Sequence, residues 1–182
     1  MIKQSTYSVL EQAKQLYSLS DIEHAIAKMA KKITLHYKDK EPLLLVVMNG
    51  ALMTAGYLLP RLPFPMHVDY VHLSRYGNET TGGNVVWHHK PASVLTGRDI
   101  ILVEDIVDEG VTLQILREYC LTEGANSVIC ATLTVKEGVE KVGPKAEFIG
   151  LSVPNEYIFG FGMDYKNYWR NLPAIYAVSE AK

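Results

Sequence analysis

Cysteine is scarce in this sequence, which has only Cys120 and Cys130 among its 182 residues. Two cysteines cannot build the disulfide framework on which small secreted domains depend, so we interpret both as small buried residues. Long apolar runs are missing too. No segment reaches the ~20 apolar residues of a membrane span, and the N-terminus lacks the apolar stretch of a signal peptide. These absences predict a cytoplasmic protein without a membrane partner.

The sequence also lacks an excess of charge of one sign. Its 18 lysines and arginines and 20 aspartates and glutamates give a net charge of −2, which leaves no general basic field to attract nucleic acid. We therefore expect no nucleic-acid partner, although local basic clusters leave RNA binding disfavoured rather than excluded. The pair His88-His89 suggests a metal site, but neighbours on a strand point to opposite faces, so we do not expect histidine to bind metal.

The hydrophobic share of 48% over 182 residues is enough for one domain with a full-sized core. Short apolar runs, typical of strands buried on both faces, alternate with helical patterns. The runs cover residues 43–48, 68–73, 100–103, 128–135 and 148–153, and the helical patterns cover residues 22–37, 51–59 and 112–123. This alternation predicts an α/β domain with a mostly parallel sheet, whose ligands bind where the strands end. We expect the chemistry just after Met48, Leu73, Val103 and Val135.

Two local patterns refine this organisation. Ser20 and Glu23 have the spacing of a capping box, which predicts that the first helix begins there and ends near Tyr37. Residues 76–90 are polar and glycine-rich, with a β-like stretch around Trp87. We expect a mobile loop or a loose hairpin, with Trp87 packing the loop when it closes.

The strongest chemical pattern follows the predicted strand at residues 100–103. Glu104 and Asp105 come first, then Asp108, then Gly110 at the start of a predicted helix. Carboxylates at a strand end need a metal, a polyol or a proton as partner. Glycine and the N–H groups of a helix N-terminus suit a terminal phosphate. Helix capping is the alternative explanation for Asp108, but Glu104 and Asp105 lie too far upstream to serve as caps.

These residues resemble a known family. The segment VEDIVDEGVT at residues 103–112 is similar to the signature of type I phosphoribosyltransferases that binds phosphoribosyl pyrophosphate (PRPP), and its Glu-Asp pair resembles the hypoxanthine-guanine branch. The segments VPNEYIFG, GMDY and YWRNLP, at residues 153–160, 162–165 and 168–173, are similar to the purine and pyrophosphate segment of that branch. Order and spacing agree from about Leu43 onward, whereas the first forty residues match loosely.

The resemblance implies a fold and a set of roles. The whole chain, 1–182, would be one domain: a mostly parallel sheet flanked by helices, with a small hood built from the chain ends, in which residues 154–182 cover the purine. Glu104 and Asp105 would bind the ribose hydroxyls and Mg²⁺, and Asp108 would be the general base near the purine N7. The 5-phosphate would be held by Asp108, Glu109, Gly110, Val111 and Thr112.

The remaining implied roles concern the purine and the pyrophosphate. Ile106 would lie against the base, Lys136 would donate to its 6-oxo group, Tyr157 would stack on it, and the Ile158 backbone would meet its edge. Asp164 would lie at the purine site and hold a second Mg²⁺. Pyrophosphate would be contacted by Arg170 and by the loop at Asn49 and Gly50. Ser74, Arg75 and Tyr76 would begin a mobile active-site loop at 74–90.

The implied reaction converts hypoxanthine or guanine and PRPP to IMP or GMP and pyrophosphate, in a homodimer or homotetramer. Two positions depart from the family pattern, because many members carry a basic residue at Asn49 and a hydroxyl residue at Glu109. We predict that Glu109 turns away from the phosphate. A xanthine-guanine preference and a nucleotide-sensing regulator on the same fold stay open as alternatives, and the sequence does not order the purines or set the oligomer size.

Overall fold

The computed structural model describes residues 2–75 and 85–178, and its main feature is a six-stranded sheet. The strands of this sheet are β2 (Leu43–Met48), β3 (His67–Arg75), β4 (Val85–His89), β5 (Asp99–Val107), β6 (Ser127–Lys136) and β7 (Phe148–Val153). Their order in the sheet is β4-β3-β2-β5-β6-β7, and all neighbouring pairs are parallel except β3 with β4.

Helices cover both faces of this sheet, because its central strands are apolar on both sides. Leu44 and Val46 of β2 pack on one face with α2 (Leu19–Tyr37) and α3 (Leu52–Leu58). A short 3₁₀ turn (Leu59–Arg61) follows α3. Leu43 and Leu45 pack on the opposite face with α4 (Val111–Thr122). Such double burial is typical of parallel sheets between helices. The predicted fold class is confirmed.

The two ends of the chain form a second, smaller sheet of order β1-β9-β8, antiparallel throughout. Its strands are β1 (Lys14–Tyr17), β9 (Ile175–Val178) and β8 (Tyr157–Phe159), and α1 (Ile2–Gln12) precedes it. The Tyr17 hydroxyl donates to the backbone oxygen of Ser152, 2.6 Å away, and so joins this hood to β7. Both α1 and β1 were missed in the sequence.

Two local predictions were wrong. The cap of α2 is Ser18, whose hydroxyl accepts from the Asp21 N–H while the Asp21 carboxylate accepts from the Ser18 N–H, so Ser20 and Glu23 do not form the capping box. The strand β5 continues past Val103 to Val107 and includes the acidic pair.

The β-like stretch predicted around Trp87 is confirmed. Residues Val85–His89 form strand β4, antiparallel to β3, and Trp87 packs on Tyr119 of α4 with ring centroids 4.8 Å apart. This contact anchors the strand on the helix, because both rings bury apolar surface. Residues 76–84, including Tyr76, lie outside the described part of the chain, so the mobile loop at 74–90 stays a prediction. Within the described residues, no helix is both long and apolar enough to cross a membrane.

Candidate active site

The acidic pair lies at the centre of the main sheet, near the carboxyl ends of its strands. Glu104 is paired with Thr132 of β6 and has only 5% of its surface exposed. The Thr134 hydroxyl donates to the backbone oxygen of Asp105 at 2.8 Å, and the Ile106 N–H donates to the Asp105 carboxylate at 2.9 Å. The fold therefore fixes both the backbone and the carboxylate of Asp105.

Burial raises the pKa of both carboxyls in this pair. The pKa of Glu104 lies well above its usual range, first because burial removes water and second because the Asp105 charge lies beside it. Burial also raises the pKa of Asp105, an effect that backbone N–H groups and the positive charge of Arg170 partly oppose. Two neighbouring buried carboxyls favour sharing a proton until a cation or hydroxyl donors arrive.

A cavity of about 240 Å³ lies beside the pair and follows the turn into α4. Gly110 begins that turn with φ of +88°, a conformation that glycine adopts without strain. Among the described residues no side chain caps the N-terminus of α4, so the capping explanation for Asp108 does not hold. The helix end points its N–H groups toward the cavity, as an anion site requires. The lining residues are Glu104 to Leu113.

A second cavity of about 240 Å³ adjoins the first and shares Asp105, Ile106 and Asp108 with it. Its other lining residues are Lys136, Tyr157, Ile158, Met163 and Asp164. Every residue that the sequence assigned to the purine therefore lines one cavity. Met163 was missed, although it lies inside the segment GMDY on which the resemblance depends.

One ion pair spans this second cavity. The Lys136 ammonium donates to the Asp108 carboxylate at 2.7 Å, with 15% of the lysine side chain and 49% of the aspartate side chain exposed. The pair joins the ends of β5 and β6 and presents an ammonium donor beside a carboxylate acceptor. The sequence predicted both residues but not their contact, because 28 residues separate them.

A tight turn carries Asn49 and Gly50, two of the residues that the resemblance assigns to pyrophosphate. A Cβ atom on Gly50 would lie 2.0 Å from the Asp105 carboxylate, and one on Gly162 would lie 2.0 Å from the Gly50 backbone oxygen. Only hydrogen fits at either position. The peptide between Met48 and Asn49 is cis. The turn is thus wedged between the acidic pair and the segment that carries Arg170.

Arg170 is held by two contacts. It donates to the Asp164 carboxylate at 2.7 Å and to the backbone oxygen of Gly162 at 2.7 Å. The Asn167 N–H donates to the other carboxylate oxygen of Asp164, also at 2.7 Å. These contacts orient both predicted ligand-binding side chains toward the same edge of the sheet.

The start of the predicted mobile loop lies on the pair β3 and β4. The Ser74 hydroxyl is hydrogen bonded to the His88 ring at 2.8 Å, and Arg75 pairs with Val85 in the ladder. His72, which the sequence did not single out, stacks loosely on His88 with ring centroids 4.5 Å apart. Burial and the nearby charges of His88 and Arg170 lower the pKa of His72.

A model of the phosphoribosyl transferase domain matches residues 12–166 of the chain. The chain belongs to the phosphoribosyltransferase family. The resemblance found in the sequence is therefore confirmed, and it extends to the N-terminal strand that the motifs did not cover.

Individual relatives agree with this family. The chain is 35% identical to the hypoxanthine-guanine phosphoribosyltransferase of Streptococcus pyogenes, over 92% of this chain and 93% of the relative. Among solved structures, a hypoxanthine-guanine phosphoribosyltransferase from Bacillus anthracis is 30% identical, with a TM-score of 0.86 over 91% of this chain and 98% of that one. A hypoxanthine-guanine-xanthine phosphoribosyltransferase is 30% identical with a TM-score of 0.84, over 93% and 99%.

One further side chain of this phosphoribosyltransferase lies at the site and was missed. Lys141, in the segment between β6 and β7, donates to the backbone oxygens of both Asp108 and Lys136. The sequence gave no signal for it, because a lysine in a segment rich in charge and glycine normally indicates a solvated loop. Glu109 is half-buried beside the phosphate cavity, and its backbone oxygen accepts from the Val142 N–H. The outward turn of its carboxylate stays a prediction.

Proposed function

We propose that this chain is a purine-salvage enzyme that transfers ribose 5-phosphate from PRPP to hypoxanthine or guanine, giving IMP or GMP and pyrophosphate. The observation that carries the proposal is the pair of adjoining cavities that share Asp105, Ile106 and Asp108. One cavity has a glycine turn and a helix N-terminus for a phosphate, and the other has a donor and an acceptor for a purine. The names of the relatives described above support the choice of purines.

In this proposal the phosphoribosyl group occupies the first cavity. Its 5-phosphate accepts from the backbone N–H groups after Gly110 and from the Thr112 hydroxyl, since the cavity follows these residues. The carboxylates of Glu104 and Asp105 accept from the ribose 2- and 3-hydroxyls. This contact would relieve the buried pair, because each hydroxyl donates a hydrogen bond that water cannot supply there.

The purine then occupies the second cavity and separates the ion pair found there. A 6-oxopurine with a proton on N7 presents an acceptor beside a donor, which matches Lys136 and Asp108 in turn. A 6-aminopurine would set a donor against the ammonium, and an unpaired donor in such a site supports discrimination of roughly 10⁴-fold. Ile106 and Tyr157 cover the ring, and the Ile158 backbone meets its edge.

The chemical step follows from this arrangement. The purine N9 attacks C1 of the ribose while the bond from C1 to the pyrophosphate oxygen breaks, and Asp108 takes the proton from N7 so that the product base is neutral. Arg170 and the backbone N–H groups of the turn at Gly50 stabilise the negative charge on the departing pyrophosphate. Both lie at the same edge of the sheet as the acidic pair.

The residues present fit a magnesium ion. Glu104 and Asp105 are adjacent buried carboxyls whose pKa values are raised, and carboxylate oxygens are the ligands that Mg²⁺ prefers. Asp164, which lines the second cavity, would supply a second position. When bound, the ion would neutralise charge on the pyrophosphate. No cluster of three or more candidate ligands is found among the described residues, so PRPP oxygens would complete the coordination.

The test is a direct assay of the purified protein with PRPP and Mg²⁺ and each of hypoxanthine, guanine, xanthine and adenine in turn. We expect pyrophosphate and the nucleotide to form with hypoxanthine and guanine, and at least 10³-fold less with adenine, as roughly expected when a site leaves a donor unpaired. PRPP binding without pyrophosphate release would support the nucleotide-sensing alternative instead. Efficient turnover of xanthine would support the wider purine range of the solved hypoxanthine-guanine-xanthine relative.

We further propose a homodimer or homotetramer in the cytoplasm. Leu52 on α3 is 56% exposed, and Val68 and Tyr70 on β3 are 52% and 43% exposed. Exposed apolar side chains of this size are typical of surfaces that another subunit covers. Cys120 and Cys130 are buried free thiols, as suits a reducing compartment. Sedimentation at several concentrations, with a Tyr70→Lys variant as comparison, tests the assembly.

A further inference from the structure

Lys141 makes an unusual pair of contacts next to the ion pair of the purine cavity. Strands β5 and β6 pair in parallel, and the last pair is Val107 with Val135. Asp108 and Lys136 are the next residues along the two strands. The Lys141 ammonium donates to the backbone oxygens of both, at 2.8 Å for Lys136. The Lys141 side chain thus joins the two strands by hydrogen bonds just beyond the last backbone pair.

The surrounding segment fixes Lys141 in this position. The Glu137 N–H donates to the Val153 oxygen at 2.9 Å, and the Val142 N–H donates to the Glu109 oxygen at 2.9 Å. Gly143 lies directly on the phosphate turn, because a Cβ there would be 2.5 Å from the Gly110 oxygen. Lys141 is half-buried between these anchors, whereas Lys145 in the same segment is exposed. The contact is therefore part of a packed arrangement.

Lysine suits this task because its ammonium has three donors and no acceptor. It can satisfy two carbonyls at once, and hydrogen bonds from a charged donor are roughly twice as strong as neutral ones. A neutral side chain of equal length would leave two backbone oxygens at the strand ends without this donor. Beyond the last strand pair, Val107 with Val135, only the side chains of Asp108 and Lys136 would then join the two backbones.

We propose that Lys141 is a positioning residue for the purine site, which holds the backbones of Asp108 and Lys136 at a fixed separation while their side chains part to admit the base. The inference rests on the proposed function, in which these two residues bind N7 and the 6-oxo group. Lys141 lines neither cavity, so it acts through the other two. Its loss should affect the purine more than PRPP.

The kinetic test compares K141M, K141R and K145M with the unchanged protein. We expect K141M to lower kcat/KM for hypoxanthine by about 10- to 100-fold, the range for losing a hydrogen bond from a charged donor. Its KM for PRPP should stay within about twofold. K141R should recover most of the loss, because the guanidinium also donates to two acceptors. K145M, in the same segment but exposed, should match the unchanged protein.

Three kinetic results would overturn the proposal. One is hypoxanthine kinetics within twofold of the unchanged protein in K141M, and another is an equal fall in K145M. The third is a rise in KM for PRPP as large as the effect on hypoxanthine, since Lys141 would then act on the phosphate turn.

A second measurement does not depend on catalysis. Hydrogen exchange at the Val142 amide should be at least about tenfold faster in K141M than in K145M, because the anchor beside it is lost. Equal exchange in the two variants would contradict the positioning role. If the unchanged protein transfers no purine, the proposed function fails, and the exchange result alone then decides whether Lys141 holds the two strand ends together.

Discussion

At the scale of single residues, Asp108 carries the greatest chemical demand. It lines both cavities and pairs with Lys136, and about half of its side chain surface is exposed. D108N keeps the size and polarity of the side chain but cannot accept a proton. We expect kcat to fall ~10²–10⁴-fold, the usual cost of removing a general base, while PRPP binding changes little. Steady-state kinetics across pH check this, and turnover near that of the unchanged protein would remove Asp108 from the base role.

Glu109 provides a second residue-scale prediction, because it departs from the family pattern beside the phosphate cavity. A carboxylate ~4 Å from the 5-phosphate would cost about 1–4 kcal/mol, depending on the effective dielectric. We therefore expect Glu109 to point away, so that E109T keeps or lowers the KM for PRPP, since a hydroxyl can donate to phosphate. The order of purine preference should not change.

Kinetics with varied PRPP decide this prediction, with E137T as the control, since Glu137 is exposed and lies outside both cavities. A large rise in the KM for PRPP in E109T would mean that the carboxylate holds the turn or a metal. The expected outward orientation of Glu109 would then be wrong.

At the scale of secondary-structure elements, the helix α2 shows how a short motif can be read in two positions. Ser18 and Asp21 have the capping-box spacing, and so do Ser20 and Glu23. In the structure only Ser18 caps the helix, which lets Ile22 begin the buried stripe. The pattern alone could not decide between the two serines, because the start of the helix depends on the path of the backbone between strand β1 and helix α2.

This difference gives a stability prediction with a matched control. S18A should lower the free energy of unfolding by ~1 kcal/mol, the usual value of a lost N-cap, and S20A should change it by less than ~0.5 kcal/mol, as at ordinary surface sites. Urea unfolding of the two variants measures both values. An equal loss in both, or a larger loss in S20A, would contradict the assignment of the cap.

The elements that the sequence predicted well share a physical basis. Strand β2 is bounded correctly because a continuous apolar run is typical of a strand buried between two helical layers. Strand β7 is bounded correctly as well, although it lies at the edge of the sheet and only its first and last residues are buried. β1 and β8 have no such run, because β1 has no buried residue and β8 has only three residues. Both pair with β9 in the small hood, and β1 comes from the opposite end of the chain, so local patterns do not identify that partner. Strand β4 was predicted as a β-like stretch around Trp87, and its residues alternate in burial.

The candidate site divides in the same way. Residues that lie within the motifs, such as Asp105 and Tyr157, were found because the resemblance fixes them by order and spacing. Lys141 and His72 were missed, because nothing local in the sequence shows that Lys141 donates to the Lys136 backbone or that His72 lies beside His88. Such contacts between distant residues become visible only in three dimensions.

At the scale of the whole molecule, the buried acidic pair has opposite effects on folding stability and on the proposed function. The pKa of Glu104 is raised well above its ordinary value of 4.5 by burial and by Asp105. A carboxyl with a raised pKa in the folded state binds more protons when folded than when unfolded. Folding stability therefore falls as pH rises above about 4.5, through the window that ends at the raised pKa. At neutral pH the fold is therefore destabilised by an acidic group that the proposed function assigns to the substrate.

Removing the Glu104 charge should therefore stabilise the fold at neutral pH. E104Q removes the ionisable group at nearly constant volume, so we expect the ligand-free variant to melt at a higher temperature than the unchanged protein at pH 7. The difference should shrink as the pH falls toward 4.5, because the carboxyl stays protonated in the folded state and becomes increasingly protonated in the unfolded state. Each kcal/mol gained corresponds to about 2–4 °C in a chain of this size. The exposed Glu41 supplies the control variant E41Q, which should show neither effect.

The same variant should respond less to its ligands. In the proposed function PRPP with Mg²⁺ binds the folded state, so both together should raise the melting temperature of the unchanged protein. E104Q should gain much less, because an amide is a weaker ligand for Mg²⁺ and cannot provide the charge that the cation needs. Thermal unfolding with and without both ligands, from pH 4.5 to 8, tests the two effects together. An E104Q protein that is less stable than the unchanged one at every pH would mean that the Glu104 carboxylate is a structural partner within the sheet, and the conflict between stability and function inferred here would not exist.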